Sequence, residues 1–300
     1  MGIWLAALSG VAFGVATVVA RDLAGSGVAP ETVLVVRFGL GALCLGALAL
    51  IRGRSLLPAP GERLAAALLG TALYATQASL FFAAVERGSA GLATVLFYTY
   101  PAMVVGTEAM LTRTPPDRSF VFAVGLAALG TISVALSGSD VSFSGAVLAF
   151  ALAAAGLFCV YLVLSARYLA RTDRVVASMW VTGGASAGIA LRGAVAGGLE
   201  VPTGHWLELG IAGIATGVAF ATLLTALRHI GPARTAVVLN IEIVAAVGFG
   251  AVILGESLGT AALIGAVAIF IAASWVTYTE VRRTHPLEPQ SSRAAGRRCA

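Results

Sequence analysis

The polar positions of this chain fall into short clusters, and between them lie apolar runs of about twenty residues. Ten such runs can be read, at about 3–21, 30–51, 64–86, 88–111, 119–138, 143–167, 175–197, 207–228, 231–255 and 257–279. None contains more than two charged residues, and most of these lie near the ends of the runs. A helix of roughly 20 apolar residues crosses the hydrocarbon core of a bilayer. The pattern therefore predicts an all-α integral membrane protein with ten transmembrane helices. The first run lacks a basic leader and passes into Arg21-Asp22 without a small-x-small cleavage site, so it is read as a retained span and not a signal peptide.

A repeat underlies the runs. Residues 8–23 align with 154–169 at an offset of 146, bringing Gly10 onto Gly156 and Arg21 onto Arg167. Ala84–Pro101 aligns with Ala226–Ile243 at an offset of 142. Each half then holds five spans, and because five is odd the halves insert with opposite orientation. The expected architecture is two inverted five-helix repeats, 1–138 and 139–280, around a central cavity, with a disordered basic tail over 281–300. Inverted repeats in a polytopic chain are a transporter signature, since one half can rock against the other around a midplane site.

Composition narrows the class. The chain is 59% hydrophobic and 11% charged, with a mean hydropathy of +0.94. That leaves no room for a sizeable soluble domain. The net charge of +5 is therefore a matter of membrane topology and not of nucleic-acid binding. All nineteen basic residues are arginine. Fifteen fall on one side of the expected membrane: Arg52, Arg54, Arg63, Arg113, Arg118, Arg167, Arg171, Arg174, Arg228, Arg234 and five in the tail. Three fall on the other side, Arg21, Arg87 and Arg192. The positive-inside rule makes the richer side, and both termini, cytoplasmic, which in a bacterium means the inner membrane. Cys44, Cys159 and Cys299 have no metal-like spacing; Cys44 and Cys159 are read as small packing residues. No metal or cofactor is expected.

Candidate chemistry is what remains polar inside the apolar runs. Glu242 lies about 17 Å into its span at 1.5 Å per residue, near the midplane, where a carboxylate is costly and by default functional. It could bind a cationic group or carry a coupling proton. It could also be a structural carboxylate bonded across helices, and the sequence leaves both open. Asn240, two residues away, is expected to bond a neighbouring helix. Arg37 could grip a substrate carboxylate bidentately; the plainer expectation is that it snorkels outward or pairs with Glu31 or Glu86. Pro101 removes a backbone donor and should loosen the turn before it. Tyr98 and Tyr100 beside it offer hydroxyls and ring faces to a small amphipathic ligand, or else simply pack. Gln77 and Tyr161 are weaker candidates of the same kind. Trp180 is read as lipid-facing or packed, and Glu108 as a salt-bridge partner of Arg113 or a group reaching interfacial water. Gly10–Gly14, Gly184–Gly188 and Gly213–Gly217 have the spacing of close helix packing.

At the level of motifs, the chain resembles the drug/metabolite transporter superfamily, EamA type, over nearly all of 1–280. The A-L-R-H-I-G-P-A-R-T-A at 226–236, the Glu242 position and the L-G-E at 254–256 carry the resemblance in the second half. In the first half it rests on G-L-A-T-V-L-F-Y-T-Y-P at 91–101 and on Val36-Arg37-Phe38. The resemblance implies a bundle whose cavity opens to one side at a time, with efflux of amino acids, metabolites or drugs as the usual task. Two departures stand out. Ile243 replaces the usual proline after the glutamate, which predicts a straighter ninth helix. Arg113-Thr114 replaces the Gly-Glu that commonly ends the fourth span.

Other classes fit less well. The histidines His205, His229 and His285 are scattered near loops, and neither H-E-x-x-H nor a phosphate-binding loop occurs, so an enzyme is not expected. A non-transporting scaffold would not need polar midplane residues in both halves. A passive facilitator is not separable from a carrier at this stage. The expected partners are the lipid bilayer, a small-molecule substrate and, through Glu242, protons.

Overall fold

The computed structural model describes residues 1–87, 90–136, 144–196, 204–255 and 259–284. Among these, every regular element is a helix. The first half comprises α1 (Gly2–Gly25), α2 (Pro30–Ile51), α3 (Arg63–Leu68), a π-helical turn (Leu69–Tyr74), α4 (Ala75–Glu86), α5 (Ala90–Phe97), α6 (Tyr100–Thr112) and α7 (Arg118–Leu136). The second half comprises α8 (Gly145–Tyr168), α9 (Arg174–Ala196), α10 (Trp206–Leu239), α11 (Ile241–Ile253) and α12 (Thr260–Thr284). Among the described residues, five helices are long and apolar enough to cross a membrane: α1, α2, the continuous Arg63–Glu86, α8 and α10. The outer surface is correspondingly apolar, with Leu43, Phe122, Leu129, Ile264 and Phe270 exposed.

Local chemistry sets several helix ends. Pro30 begins α2 with its φ already helical and Glu31 in the first turn, and Gly53, at φ 63°, follows its end. Ser144 caps α8 by accepting from the Val147 amide at 3.3 Å. Arg113 closes α6 in the left-handed region, at φ 54° and ψ 29°. That is the conformation a glycine would take without strain.

Two helices are discontinuous. The fourth apolar run is interrupted at Tyr98-Thr99 and restarts at Tyr100, with Pro101 in the first turn of the new helix. The ninth is interrupted at Asn240, and α10 is also kinked at Gly231, whose φ of 76° and ψ of 170° precede Pro232. The absence of proline at Ile243 does not straighten this helix. The close approach of α1 supplies a reason. A Cβ on Gly10 would sit 2.9 Å from the Leu239 carbonyl oxygen, and one on Gly14 would sit 2.9 Å from the Glu242 carbonyl oxygen. The glycines let α1 lie directly against the interrupted backbone.

The halves interlock instead of standing side by side. Helix α1 packs on α10 and α11, and α8 packs on the π-helical turn, on α4 and on α5–α6. Helix α2 packs on α9, and α7 on α12. Exchanging each helix of one half for its counterpart in the other maps this set of contacts onto itself. Gly184 and Gly188 lie against the π-helical turn and Gly213–Gly217 against α2, so all three glycine pairs are at crossings between halves. Cys159 is buried as expected; Cys44 instead lies exposed on α2, on the outer surface, and packs nothing inside.

Candidate functional site

The two helix interruptions face each other. The Tyr98 side chain lies close enough to the Glu242 carboxylate to interact with it. The Tyr100 hydroxyl lies 3.4 Å from both the Asn240 Oδ1 and the Ala236 carbonyl oxygen. At the repeat offset of 142, Tyr98 corresponds to Asn240 and Tyr100 to Glu242. The Tyr98–Glu242 contact and the Asn240–Tyr100 contact are therefore equivalents of one another. Interrupted helices make this possible, because backbone freed from its own ladder is tolerated at membrane depth where it is covered by protein or lines a cavity.

Glu242 also accepts from Thr17 Oγ1 of α1 at 3.3 Å. It is enclosed by protein on all sides, yet its side chain keeps partial accessibility. Asn240 is fully buried and its Oδ1 receives the Tyr100 hydroxyl, a contact that joins α6 to the end of α10.

Arg37 departs from the plainer expectation. It neither snorkels nor pairs with Glu31 or Glu86. It is 9% exposed, its guanidinium carbon lies 4.8 Å from the Phe38 ring centroid, and among the described residues its Nε has no hydrogen-bond partner. Glu242 is near enough to interact with it electrostatically, but among the described residues the two form no ion pair. Helix α2 packs on both α9 and α10, and the Arg37 side chain is enclosed within that packing.

Between the two charges lies a cluster of rings. Tyr74, delivered by the π-helical turn, meets Phe38 at 5.6 Å, Tyr161 at 5.0 Å and Phe220 at 4.9 Å between centroids. Phe158 meets Tyr100 at 4.7 Å and stacks on Tyr161 at 5.9 Å. Phe97 meets Tyr98 and Tyr100, each at 5.4 Å. The hydroxyls of Tyr161 and Ser165 are buried without a partner of good geometry. Gln77 is buried on α4, one turn beyond Tyr74. The structure thus gathers Glu242, Tyr98, Tyr100 and Asn240 directly, and reaches Arg37 and Tyr161 through the rings.

Thr17, Tyr74, Phe97 and Phe158 belong to this cluster and were not singled out by sequence. Only Tyr74 carried a signal, as a second polar side chain three residues before Gln77 in an apolar run. Glu108 departs too. Its Oε2 accepts from the Ala233 amide at 2.8 Å and so caps the helix that restarts after Gly231, in place of a pair with Arg113. His285, Cys299 and Glu256 lie outside the described residues.

At the arginine-rich end a second polar assembly joins the halves. Glu62 accepts from the Arg171 amide at 2.9 Å, the Thr172 amide at 2.8 Å and the Thr172 hydroxyl at 2.5 Å. Burial alone would push its carboxyl up; the bonds from Thr172 and Arg171 outweigh this and hold it below the ordinary value. Arg171 also donates to the Pro60 carbonyl at 2.7 Å, and Arg54 pairs with Asp173 at 3.7 Å.

An all-helical chain with membrane-length apolar helices, interlocked halves and a buried polar centre where two broken helices meet is built as a polytopic membrane transport protein. The profile of the EamA-like transporter family matches residues 1–136 and 145–278. The chain belongs to that family, within the drug/metabolite transporter superfamily. It is 26% identical over 216 residues to "Uncharacterized transporter YcbK" of Bacillus subtilis (strain 168), covering 68% of each chain. It also superposes on a solved crystal structure with a TM-score of 0.78 at 21% identity, over 94% of this chain and 98% of the other, a likeness of fold.

Proposed function

We propose that this transporter is a secondary carrier of small zwitterionic metabolites of amino-acid type, acting by alternating access and working as an exporter in a bacterial inner membrane. The observation that carries the reading is the pair Arg37 and Glu242. Both are enclosed in one interior and sense each other electrostatically, yet they form no ion pair. An unpaired guanidinium inside a membrane protein is costly. A ligand with a carboxylate and an ammonium would satisfy both groups at once, the carboxylate at Arg37 and the ammonium at Glu242. Tyr98 lies beside the Glu242 carboxylate, and the rings give an apolar side chain its wall.

Ten spans with both termini cytoplasmic fit the segment pattern and the arginine distribution. On that orientation the Glu62 and Glu108 contacts join the halves at the cytoplasmic end. They support a conformation closed to the cytoplasm, and the inverted repeat supplies its counterpart by rocking.

The test is counterflow in proteoliposomes with labelled amino acids and with matched amines and acids lacking one of the two charges. Saturable exchange of zwitterions, lost in both singly charged analogues, is the expected result. Exchange of amines alone would remove Arg37 from the site. Non-saturable flux would support a facilitator, and no exchange across the panel would favour the scaffold. Glu242, as a lone carboxylate in the centre, also motivates proton coupling. If Glu242→Gln keeps counterflow but loses pH-gradient-driven accumulation, it is the proton carrier. If pH-driven transport survives, it is not.

A further inference from the structure

We infer that the groove between α2 and α9 is a binding site for an anionic phospholipid of the leaflet on the arginine-rich side, with acyl chain between the helices and phosphate at Arg52. The groove has a volume of about 910 Å³, at the upper end of the roughly 300–1,000 Å³ typical of small-molecule sites. Ala42 and Gly46 of α2 lie against Gly183 and Met179 of α9 where the two helices meet, and all four line it. Its walls therefore come from both halves of the molecule.

Three lining side chains are polar, and each is already satisfied by backbone. Thr71 donates to the Ala67 carbonyl at 2.8 Å, Ser186 to the Val35 carbonyl at 2.8 Å and Trp180 Nε1 to the Leu56 carbonyl at 2.7 Å. What remains for an occupant is hydrocarbon surface on membrane-length helices, which selects an acyl chain over a polar solute.

The end of the groove marked by Leu50 and Leu56 is the end bearing Arg52, Arg54 and Arg63. Arg54 is paired with Asp173, Arg63 Nε donates to the Pro58 carbonyl at 3.4 Å, and Arg171 is held by Glu62 and Pro60. The acids there, Asp173 and Glu62, are engaged in those same contacts. Arg52, two residues beyond Leu50, is exposed, and among the described residues its guanidinium has no ion pair or hydrogen bond. An apolar slot ending at an unengaged cation matches a lipid with a negative headgroup.

The full chain carrying Trp180 as its sole tryptophan (Trp4, Trp206 and Trp275 each replaced by Phe) in lipid nanodiscs reads this directly. Phosphatidylglycerol with brominated chains should quench Trp180 at about fivefold lower mole fraction than brominated phosphatidylcholine, the effect of one arginine at an anionic surface. Arg52→Gln should remove the preference while leaving quenching by both lipids. Ala47→Leu, filling the groove, should weaken quenching by both. Equal quenching by the two lipids in the parent, or a preference that survives Arg52→Gln, overturns the headgroup assignment. Absence of quenching overturns acyl-chain occupancy, as when a second copy covers this face.

Discussion

Arg37 and Glu242 are the two charged side chains of the proposed binding centre. Removing the guanidinium by Arg37→Gln deletes a charge-assisted contact worth about 1.5–3 kcal/mol, or roughly ten- to hundredfold in affinity. Zwitterion counterflow should show a half-saturation concentration raised by that factor, and an unchanged value would count against the proposed role. Tyr98→Phe should act in the same direction through Glu242, by removing a hydroxyl close enough to interact with the carboxylate. A third prediction concerns stability alone. Arg113 occupies a left-handed conformation that costs a non-glycine residue about 1–2 kcal/mol; Arg113→Gly should raise the thermal inactivation midpoint without changing transport. Glu242 was legible in the sequence because a lone carboxylate in an apolar run has no bland neighbours to hide among. Thr17 and Phe158 were not, since a threonine and a phenylalanine in a membrane helix are ordinary until the fold brings them to the same place.

The helix interruptions show where sequence reasoning at the level of elements succeeded and where it fell short. Pro101 announces a weak turn, and the chain is interrupted just before it. At the ninth run Ile243 promises the opposite, yet the helix is interrupted at Asn240. The cause is tertiary: α1 presses its glycines onto this backbone, and no local propensity encodes that. Gly231 is held at φ 76°, so Gly231→Ala should cost about 1–3 kcal/mol and disturb the Ala233 amide that Glu108 caps. A shorter half-life in detergent would record it. The Glu62 assembly carries a pH prediction. Its carboxyl is held low in the folded protein, so its contribution is present at neutral pH and is lost as pH falls through the folded value. A disulfide probe between the loops at 52–62 and 169–173 should cross-link less readily on acidification, and Glu62→Gln should flatten that response.

At the scale of the whole molecule, the all-helical membrane class and the two-repeat architecture were readable because long apolar runs are regular signals. The interlocking was not, because the hydropathy of α1 says nothing about whether it packs on α2 or on α10. The match of Tyr98–Glu242 with Asn240–Tyr100 places an approximate twofold relation through the middle of the site. That relation holds for the frame and fails for the charge, because Glu242 corresponds to a tyrosine and has no acidic twin. In the proposed rocking cycle, exchanging the tilts of the halves would turn the scaffold seen from one side of the membrane into the scaffold seen from the other, but the carboxylate would stay on the second half. On that proposal a cargo bound there would keep the same head-to-tail polarity throughout the cycle, so the two faces of the membrane would meet opposite ends of one fixed molecule. Directionality can then arise inside a nearly symmetric machine from a single unmatched residue.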